Sequence, residues 1–313
     1  MADPTIRAAA ALTLLTALTL TGCTSTASPP AVSAPVAGAA LEHVHGVDYD
    51  PATGATYAAA HGGVFLVSTE KLPDSYGTGP ASISAGGNGP IAGRAQDTMG
   101  FTIADTGTLF ASGHPDPNDP AAVQSPNLGL IRSSDGAQTW EPVSLAGETD
   151  FHDIATTVLP SGATRIYGYD AARRVLRISD DDGSTWRDGA ALGTRDIAVD
   201  AGNPDRVFAT TEDGLAVSVD AGSTFAPVDG APALFVLDAI PVTAGGGLVG
   251  VDVESRVWTS TTDGQWEARG SVAGTVQAFS YVEGESPWIL AFDDNGLRAS
   301  GDYGDTWTVL PTS

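Results

Sequence analysis

Short apolar runs that alternate with polar residues recur along the chain after residue 41, and they predict strands. The clearest series covers residues 196–200, 206–210 and 214–218, with a fourth short run near 226–228. Gly, Asp, Asn and Pro residues separate these runs, which is typical of antiparallel strands joined by tight turns. The 38 glycines and 20 prolines of the chain agree with many short strands of this kind.

A short phrase recurs at the end of these strand groups. It begins with Ser, has Asp two positions later and ends in Thr and an aromatic residue, at 133–140, 179–186, 218–225 and 300–307, with a shortened copy at 260–266. The Asp carboxylate can accept backbone N–H groups in a turn, Gly allows a positive φ, and the aromatic ring can pack on the hairpin. We therefore predict structural roles for Asp135, Trp140, Asp181, Gly183, Trp186, Asp220, Gly222, Phe225, Asp302, Gly304 and Trp307.

The spacing of the phrase predicts the fold. Its closing aromatic residues stand at 140, 186, 225, 266 and 307, so the period is 39 to 46 residues. Four strands per unit of this length are the signature of a β-propeller blade. Units that start near residues 43, 98, 151, 195, 235 and 276 predict an all-β, six-bladed propeller over residues 41–313. A seven-bladed alternative requires a hidden unit within residues 69–97.

The first 22 residues have the pattern of a targeting segment. Arg7 precedes an apolar run at 8–20, which is too short to span a bilayer as a helix and ends in Leu-Thr-Gly-Cys23. This ending resembles the bacterial lipobox, which implies a signal peptide at 1–22, lipidation of Cys23, and attachment to the extracytoplasmic face of the bacterial cell membrane. The Ser/Pro/Ala-rich residues after Cys23, up to residue 40, read as a tether. An ordinary secretory signal is the alternative.

Charge and cysteine content exclude several kinds of site. The 14 Lys+Arg against 38 Asp+Glu give a net charge of −24, so nucleic acid is excluded as a general partner. The single cysteine, Cys23, excludes disulfides within the chain and thiolate metal cages. A metal site must therefore use His, Met, Tyr or carboxylate side chains.

The recurring phrase resembles the Asp-box, or BNR repeat. The mature chain as a whole resembles bacterial lipoproteins labelled glycosylhydrolase or BNR-repeat proteins, through the phrases at 43–47, 99–102, 111–117, 150–153 and 167–170. Residues 203–205 lie in a unit that resembles sortilin-type and xyloglucanase-type propeller repeats. The resemblance implies the propeller fold, while the hydrolase label rests on Asp-boxes, which are structural.

The five histidines of the chain all fall where a propeller opens its central mouth. In this fold the entry into the first strand of a blade and the loop after its second strand face that mouth. We predict a copper or zinc site in units 1–3, because imidazole and thioether groups bind these metals. Its predicted ligands are His45, His61, Met99, His114 and His152, with His43 as a further candidate and Asp150, Asp153 and Asp170 as outer residues that orient the histidines.

Two other functions remain open from the sequence. A glycoside hydrolase needs a pair of carboxyl groups about 5 to 10 Å apart, and the candidates in units 4–6 are Glu212, Asp252, Glu254 and Asp293. The Arg-Ile-Pro phrase typical of sialidases is missing. The third function is a scaffold that binds an unidentified protein or glycan without metal.

Overall fold

The computed structural model describes residues 41, 43–77, 89–116, 126–284 and 286–311. The predicted signal peptide, Cys23 and the tether lie outside these residues. Within the described part of the chain, 23 strands form six small antiparallel sheets arranged as the blades of a propeller. The six-bladed, all-β fold that the repeat spacing predicts is confirmed.

The strands run in chain order from the first strand of each blade to its last. Blade 1 holds β1 (Val44–Asp50), β2 (Ala55–Ala60) and β3 (Gly63–Val67). Blade 2 holds β4 (Asp97–Ile103), β5 (Leu109–His114), β6 (Leu130–Ser133) and β7 (Glu141–Ser144). Blade 3 holds β8 (Phe151–Val158), β9 (Thr164–Asp170), β10 (Val175–Ser179) and β11 (Arg187–Ala191).

The second half of the chain repeats this order. Blade 4 holds β12 (Ile197–Val199), β13 (Val207–Thr211), β14 (Gly214–Ser218) and β15 (Ala226–Pro227). Blade 5 holds β16 (Leu234–Ala239), β17 (Leu248–Asp252), β18 (Arg256–Ser260) and β19 (Trp266–Ser271). Blade 6 holds β20 (Val276–Val282), β21 (Trp288–Asp293), β22 (Gly296–Ser300) and β23 (Thr308–Val309). The described helices are two single 3-10 turns, Ile91–Gly93 and Val242–Ala244, and none of the described helices has the length and apolar character to cross a membrane.

The second strand of the blade forms the core of the fold. Every residue of β2, β9, β17 and β21 is buried, because a neighbouring strand lies on each side and neighbouring blades cover both faces. Apolar packing between blade 6 and blade 1 closes the ring: Val47 and Ala58 share one core cluster with Val282 and Leu290. The burial of this seam stabilises the closed propeller.

Four of the recurring turns have the same hydrogen bonds. In blade 4, the Asp220 carboxylate accepts from Thr224 N at 2.8 Å, from Thr224 Oγ1 at 2.7 Å and from Ser218 Oγ at 2.7 Å. The same contacts recur around Asp135, Asp181 and Asp302. Donors from Thr224 and Ser218 lower the pKa of Asp220 to about 2. These carboxylates are therefore occupied by donors of their own turns.

A second series of aspartates ties four of the six blades to the blade that follows. The Asp48 carboxylate accepts from Ile103 N of blade 2 at 2.8 Å, and the Asp238 carboxylate accepts from Tyr281 N of blade 6 at 2.7 Å. Asp153 and Asp196 make the corresponding bonds to Ile197 N and Leu237 N. All four line the central cavity. Burial raises the pKa of Asp48 to about 7 and that of Asp238 to about 6, and it raises those of the neighbouring pair Asp153 and Asp196 as well.

Candidate metal centre

A β-bulge in the first strand of a blade places one side chain at the mouth. The strand register shifts between residues 44 and 46, 98 and 100, 151 and 153, 234 and 236, and 276 and 278. The residues skipped by the pairing are His45, Met99, His152, Phe235 and Gln277. Bulges re-aim side chains and are common at functional sites. His45, Met99, His152 and Gln277 line a central cavity of about 710 Å³.

Blade 1 contributes a stack of three imidazole rings. His61, in the turn after β2, lies between His45 and His43, with ring centroids 4.7 Å and 5.1 Å away. Asp97, the first residue of β4, lies beside the stack on blade 2. One donor atom from each of His45, His61 and Asp97 lies within 4.8 Å of the other two. His43 is exposed at the outer end of the stack and has a left-handed backbone, with φ of 51°.

Two of these three groups carry a buried polar atom without a hydrogen-bond partner among the described residues: His45 Nε2 and Asp97 Oδ1. Leaving such an atom unpaired costs about 1–3 kcal/mol. Burial, with a smaller contribution from His61, lowers the pKa of His45 to about 4. The ring is therefore neutral near pH 7, and a neutral imidazole has the lone pair that a metal ion requires.

A second histidine pair surrounds Asp150, at the mouth of blades 2 and 3. Asp97 and His114 are directly opposite each other in the β4–β5 ladder, and His114 Nδ1 lies 3.2 Å from Asp97 Oδ2. The other ring nitrogen, His114 Nε2, lies 3.6 Å from Asp150 Oδ2, and His152 Nε2 lies 3.0 Å from the same oxygen. The hydrogen bond with Asp150 raises the pKa of His152 against the opposing effect of burial. Asp150 Oδ1 is buried and has no hydrogen-bond partner among the described residues.

The other residues predicted for the metal site have different surroundings. Asp153 accepts from Ile154 N and Ile197 N, and Asp170 accepts from Arg173 N and Thr149 Oγ1, so these hydrogen bonds do not involve the histidines. Met99 is partly buried and lines the cavity that His45 and His152 also line. Asp97 was not among the predicted ligands. Its cross-strand position opposite His114 is the signal that identifies it.

Two of the carboxylates proposed for glycoside hydrolysis, Asp252 and Asp293, accept hydrogen bonds within their own hairpins. Asp252 accepts from Trp258 Nε1 at 2.8 Å and from the backbone N–H groups of Glu254 and Arg256. Burial opposes ionisation of Asp252, but these donors outweigh it and lower its pKa. Asp293 accepts from Asn295 N and from Arg298 Nη2. A general acid needs a raised pKa, so Asp252 does not have the properties of one.

The two glutamates of that set differ from each other. Glu254 pairs with the Arg256 guanidinium in the turn after β17. Glu212 is exposed in the turn after β13.

No family model and no curated protein matches the sequence. Solved structures match the fold. A gluconolactonase from Xanthomonas campestris has a TM-score of 0.57 at 12% identity, covering 88% of this chain and 88% of that chain. A chain of a nidogen/laminin complex has a TM-score of 0.58 at 12% identity, covering 83% of this chain and 93% of its own. A GH74 xyloglucanase from Xanthomonas campestris has a TM-score of 0.50 at 19% identity, covering 87% of this chain but 46% of the enzyme. At these identities the likeness concerns the fold.

Proposed function

We propose that the mouth of this propeller binds a divalent transition metal, zinc or copper, through His45, His61 and Asp97. The observation that carries the proposal is the convergence of their donor atoms within 4.8 Å. Two of the groups also present a buried polar atom that has no hydrogen-bond partner among the described residues. A metal ion would satisfy both atoms and remove the cost of leaving them unpaired.

The ligand types favour zinc over copper. Two imidazoles and one carboxylate form a set that zinc uses with its fourth position open, and a carboxylate is a poor ligand for copper(I). In a tetrahedral zinc site, bonds of about 2.0–2.2 Å hold the donor atoms about 3.3–3.6 Å apart. The three side chains, whose donor atoms lie within 4.8 Å of one another, therefore draw together when they bind the ion. Copper, favoured by the thioether of Met99, is the competing metal.

The protein would act as a binding module presenting this metal to the central cavity. A fourth coordination position that faces a cavity of about 710 Å³ has room for a small ligand. The lipobox-like sequence before Cys23 supports attachment to the extracytoplasmic face of the cell membrane, in line with the resemblance to bacterial Asp-box lipoproteins. Glycoside hydrolysis is less well supported, since Asp252 and Asp293 already accept hydrogen bonds from donors of their own hairpins.

Zinc titration of the full chain, purified without a polyhistidine tag, tests the proposal. We expect saturable binding that His45→Ala weakens by more than about 100-fold, because losing even a residue behind a metal ligand costs 10- to 100-fold. His43→Ala removes an exposed imidazole at the edge of the stack and is the matched control. Equal zinc affinity in the His45→Ala and wild-type proteins would contradict the proposal.

A further inference from the structure

One guanidinium lies among the side chains that line the central cavity. Of the described residues around that cavity, Arg195 is the only Arg or Lys. It precedes β12, at the entry to blade 4. Thr210 O accepts from Arg195 N at 3.0 Å and Thr210 N donates to Asp196 O at 2.9 Å, so two residues face one, as in a β-bulge. Arg195 therefore brings a permanent positive charge to the mouth.

Two contacts hold the guanidinium of Arg195 in place. Its central carbon lies 4.7 Å from the centre of the Phe235 ring, on blade 5, and its Nη2 donates to Gln277 O, on blade 6, at 2.7 Å. The side chain thus reaches from blade 4 to blade 6, which packs against blade 1. Burial contributes most to the lowered pKa of His45, and the charge of Arg195 acts in the same direction. The charge of the guanidinium therefore acts on the proposed metal site.

Most N–H donors of this guanidinium have no partner within the described part of the chain. The hydrogen bond to Gln277 O engages one of five N–H groups, and the ion pairs among described residues involve other arginines. Arg269 also lies over an aromatic ring, 5.5 Å from Tyr303, but its Nη2 pairs with Glu267 at 2.9 Å. A stacked guanidinium presents its N–H groups at its edge, in the fork that fits a carboxylate. Arg195 is therefore oriented to bind an anionic group that the described residues do not supply.

We propose that the mouth binds a small carboxylate ligand between Arg195 and the metal ion. Arg195 holds the carboxylate through paired hydrogen bonds, and a second oxygen donor of the ligand takes the open position of the ion. This inference names the ligand class of the proposed metal site and rests on that site for the second contact. The cavity of about 710 Å³ has the size of a small-molecule site.

The net charge restricts which ligands fit. A charge of −24 repels anions from the protein as a whole. A carboxylate therefore binds only where local positive charge outweighs this repulsion, and the guanidinium and the divalent ion together provide that charge. A monocarboxylate can pair with one of the two charges, whereas a dicarboxylate has a group for each.

Calorimetric titration of the zinc-loaded full chain tests the inference. Succinate, glutarate and adipate are compared with butyrate, valerate and hexanoate, the monocarboxylates of the same chain lengths. At least one dicarboxylate should bind about 10- to 100-fold more tightly than its monocarboxylate, which is the effect of one charge-assisted hydrogen-bonded pair. Arg195→Gln, which replaces an exposed side chain, should abolish this preference. Arg269→Gln removes a stacked guanidinium outside the cavity lining and should retain it.

Metal analysis of the same samples distinguishes this inference from the proposed function. A zinc-loaded chain without a preference for any dicarboxylate overturns the carboxylate site alone, and so does an Arg195→Gln variant that keeps the preference. Removal of zinc from the loaded chain should also abolish the preference, and a preference that persists without zinc overturns the contact between ligand and metal. A chain that takes up no zinc overturns the proposed function and this inference together.

Discussion

At the residue scale, the candidate site depends on polar atoms whose partners come from neighbouring blades. Asp97 joins a histidine of blade 1 to a histidine of its own blade, and Asp150 joins His114 to His152. The sequence could identify the histidines, because all of them precede or follow predicted strands at the mouth. It could not identify Asp97, whose role depends on strand register rather than on its sequence neighbours.

For Asp153, the neighbouring residue in the sequence is not the hydrogen-bond partner in the structure. In sequence it stands next to His152 and is predicted to orient it. In the structure successive strand residues point to opposite faces, and its carboxylate accepts from Ile197 N of the next blade. The carboxylates of Asp48, Asp196 and Asp238 likewise accept from a backbone N–H of the next blade. These aspartates are part of the seams between blades.

The seam aspartates predict a pH dependence of stability. Burial raises the pKa of Asp238 to about 6, against about 3.9 in an unfolded chain. Between pH 4 and pH 6 the folded state therefore keeps a proton on Asp238 that the unfolded state has released. The contribution of this proton to stability is fully present below pH 4 and is lost as the pH rises through 6. Asp238→Asn should flatten the decrease in unfolding free energy between pH 4 and pH 7 by on the order of 2 kcal/mol.

The measurement is denaturant unfolding at several pH values with a metal chelator present. Asn has only one side-chain oxygen to accept hydrogen bonds, so one of the two backbone bonds to residue 238 weakens at every pH. The quantity to compare is therefore the slope of unfolding free energy against pH, not the absolute stability. Asp48, Asp196 and Glu283 face the same region and keep a residual slope in the variant. Exposed Asp229→Asn is the charge-matched control. An unchanged slope in Asp238→Asn would refute the assignment.

At the element scale, the sequence predicts strands well and bulges poorly. The three longer strands predicted for blade 4, at 196–200, 206–210 and 214–218, match β12 (Ile197–Val199), β13 (Val207–Thr211) and β14 (Gly214–Ser218) to within one residue. The alternation of apolar and polar residues and the positions of turn residues are local features of the sequence, so they determine where these strands begin and end. A bulge is a property of two paired strands, so the sequence did not reveal that His45 and His152 are the residues that the pairing skips.

The recurring turns also pack one blade against its neighbour. In the third blade, Gly183 has φ of 85°, and an added Cβ would lie 2.2 Å from Leu130 Cδ2 of blade 2. Leu130 is fully buried and cannot move aside freely. The Trp186 indole then donates to Ser144 Oγ of blade 2 at 2.9 Å. The glycine is needed for both its backbone conformation and this close approach.

Gly183→Ala should therefore lower the unfolding free energy by about 2–4 kcal/mol, combining a left-handed backbone cost with overpacking against Leu130. Gly162→Ala is the matched control: its φ is 88°, but an added Cβ meets nothing within 4 Å. It should cost only the backbone part, about 1–2 kcal/mol. Denaturant unfolding of the two variants gives the comparison. An equal loss of unfolding free energy in the two variants would show that the turn at Gly183 does not pack tightly against blade 2.

At the scale of the whole molecule, the histidine side chains are unevenly distributed around a regular ring of blades. All five histidines of the chain belong to blades 1 to 3, and two of them, His45 and His152, line the cavity that residues of several blades form. Blades 4 and 5 contribute different side chains: the Arg195 guanidinium lies 4.7 Å from the centre of the Phe235 ring. The repeat predicts the ring, because five of the six units carry the same turn, one of them in a shortened form. It does not predict the site, because the site depends on how the blades differ.

The net charge of −24 has a consequence at the same scale. A strongly negative surface attracts cations to the protein and repels anions. It would therefore favour the approach of the metal ion that we propose to bind at the mouth. The surrounding carboxylates are plentiful, but in the recurring turns they are engaged by backbone and threonine donors.

The most direct test of a metal-binding mouth is the position of the ion. Crystals of the full chain grown with zinc, and measured on both sides of the zinc absorption edge, would locate it by anomalous scattering. We predict a peak about 2.0–2.2 Å from a ring nitrogen of His45, a ring nitrogen of His61 and a carboxylate oxygen of Asp97. Anomalous density confined to surface carboxylates, with none between these three residues, would contradict the account.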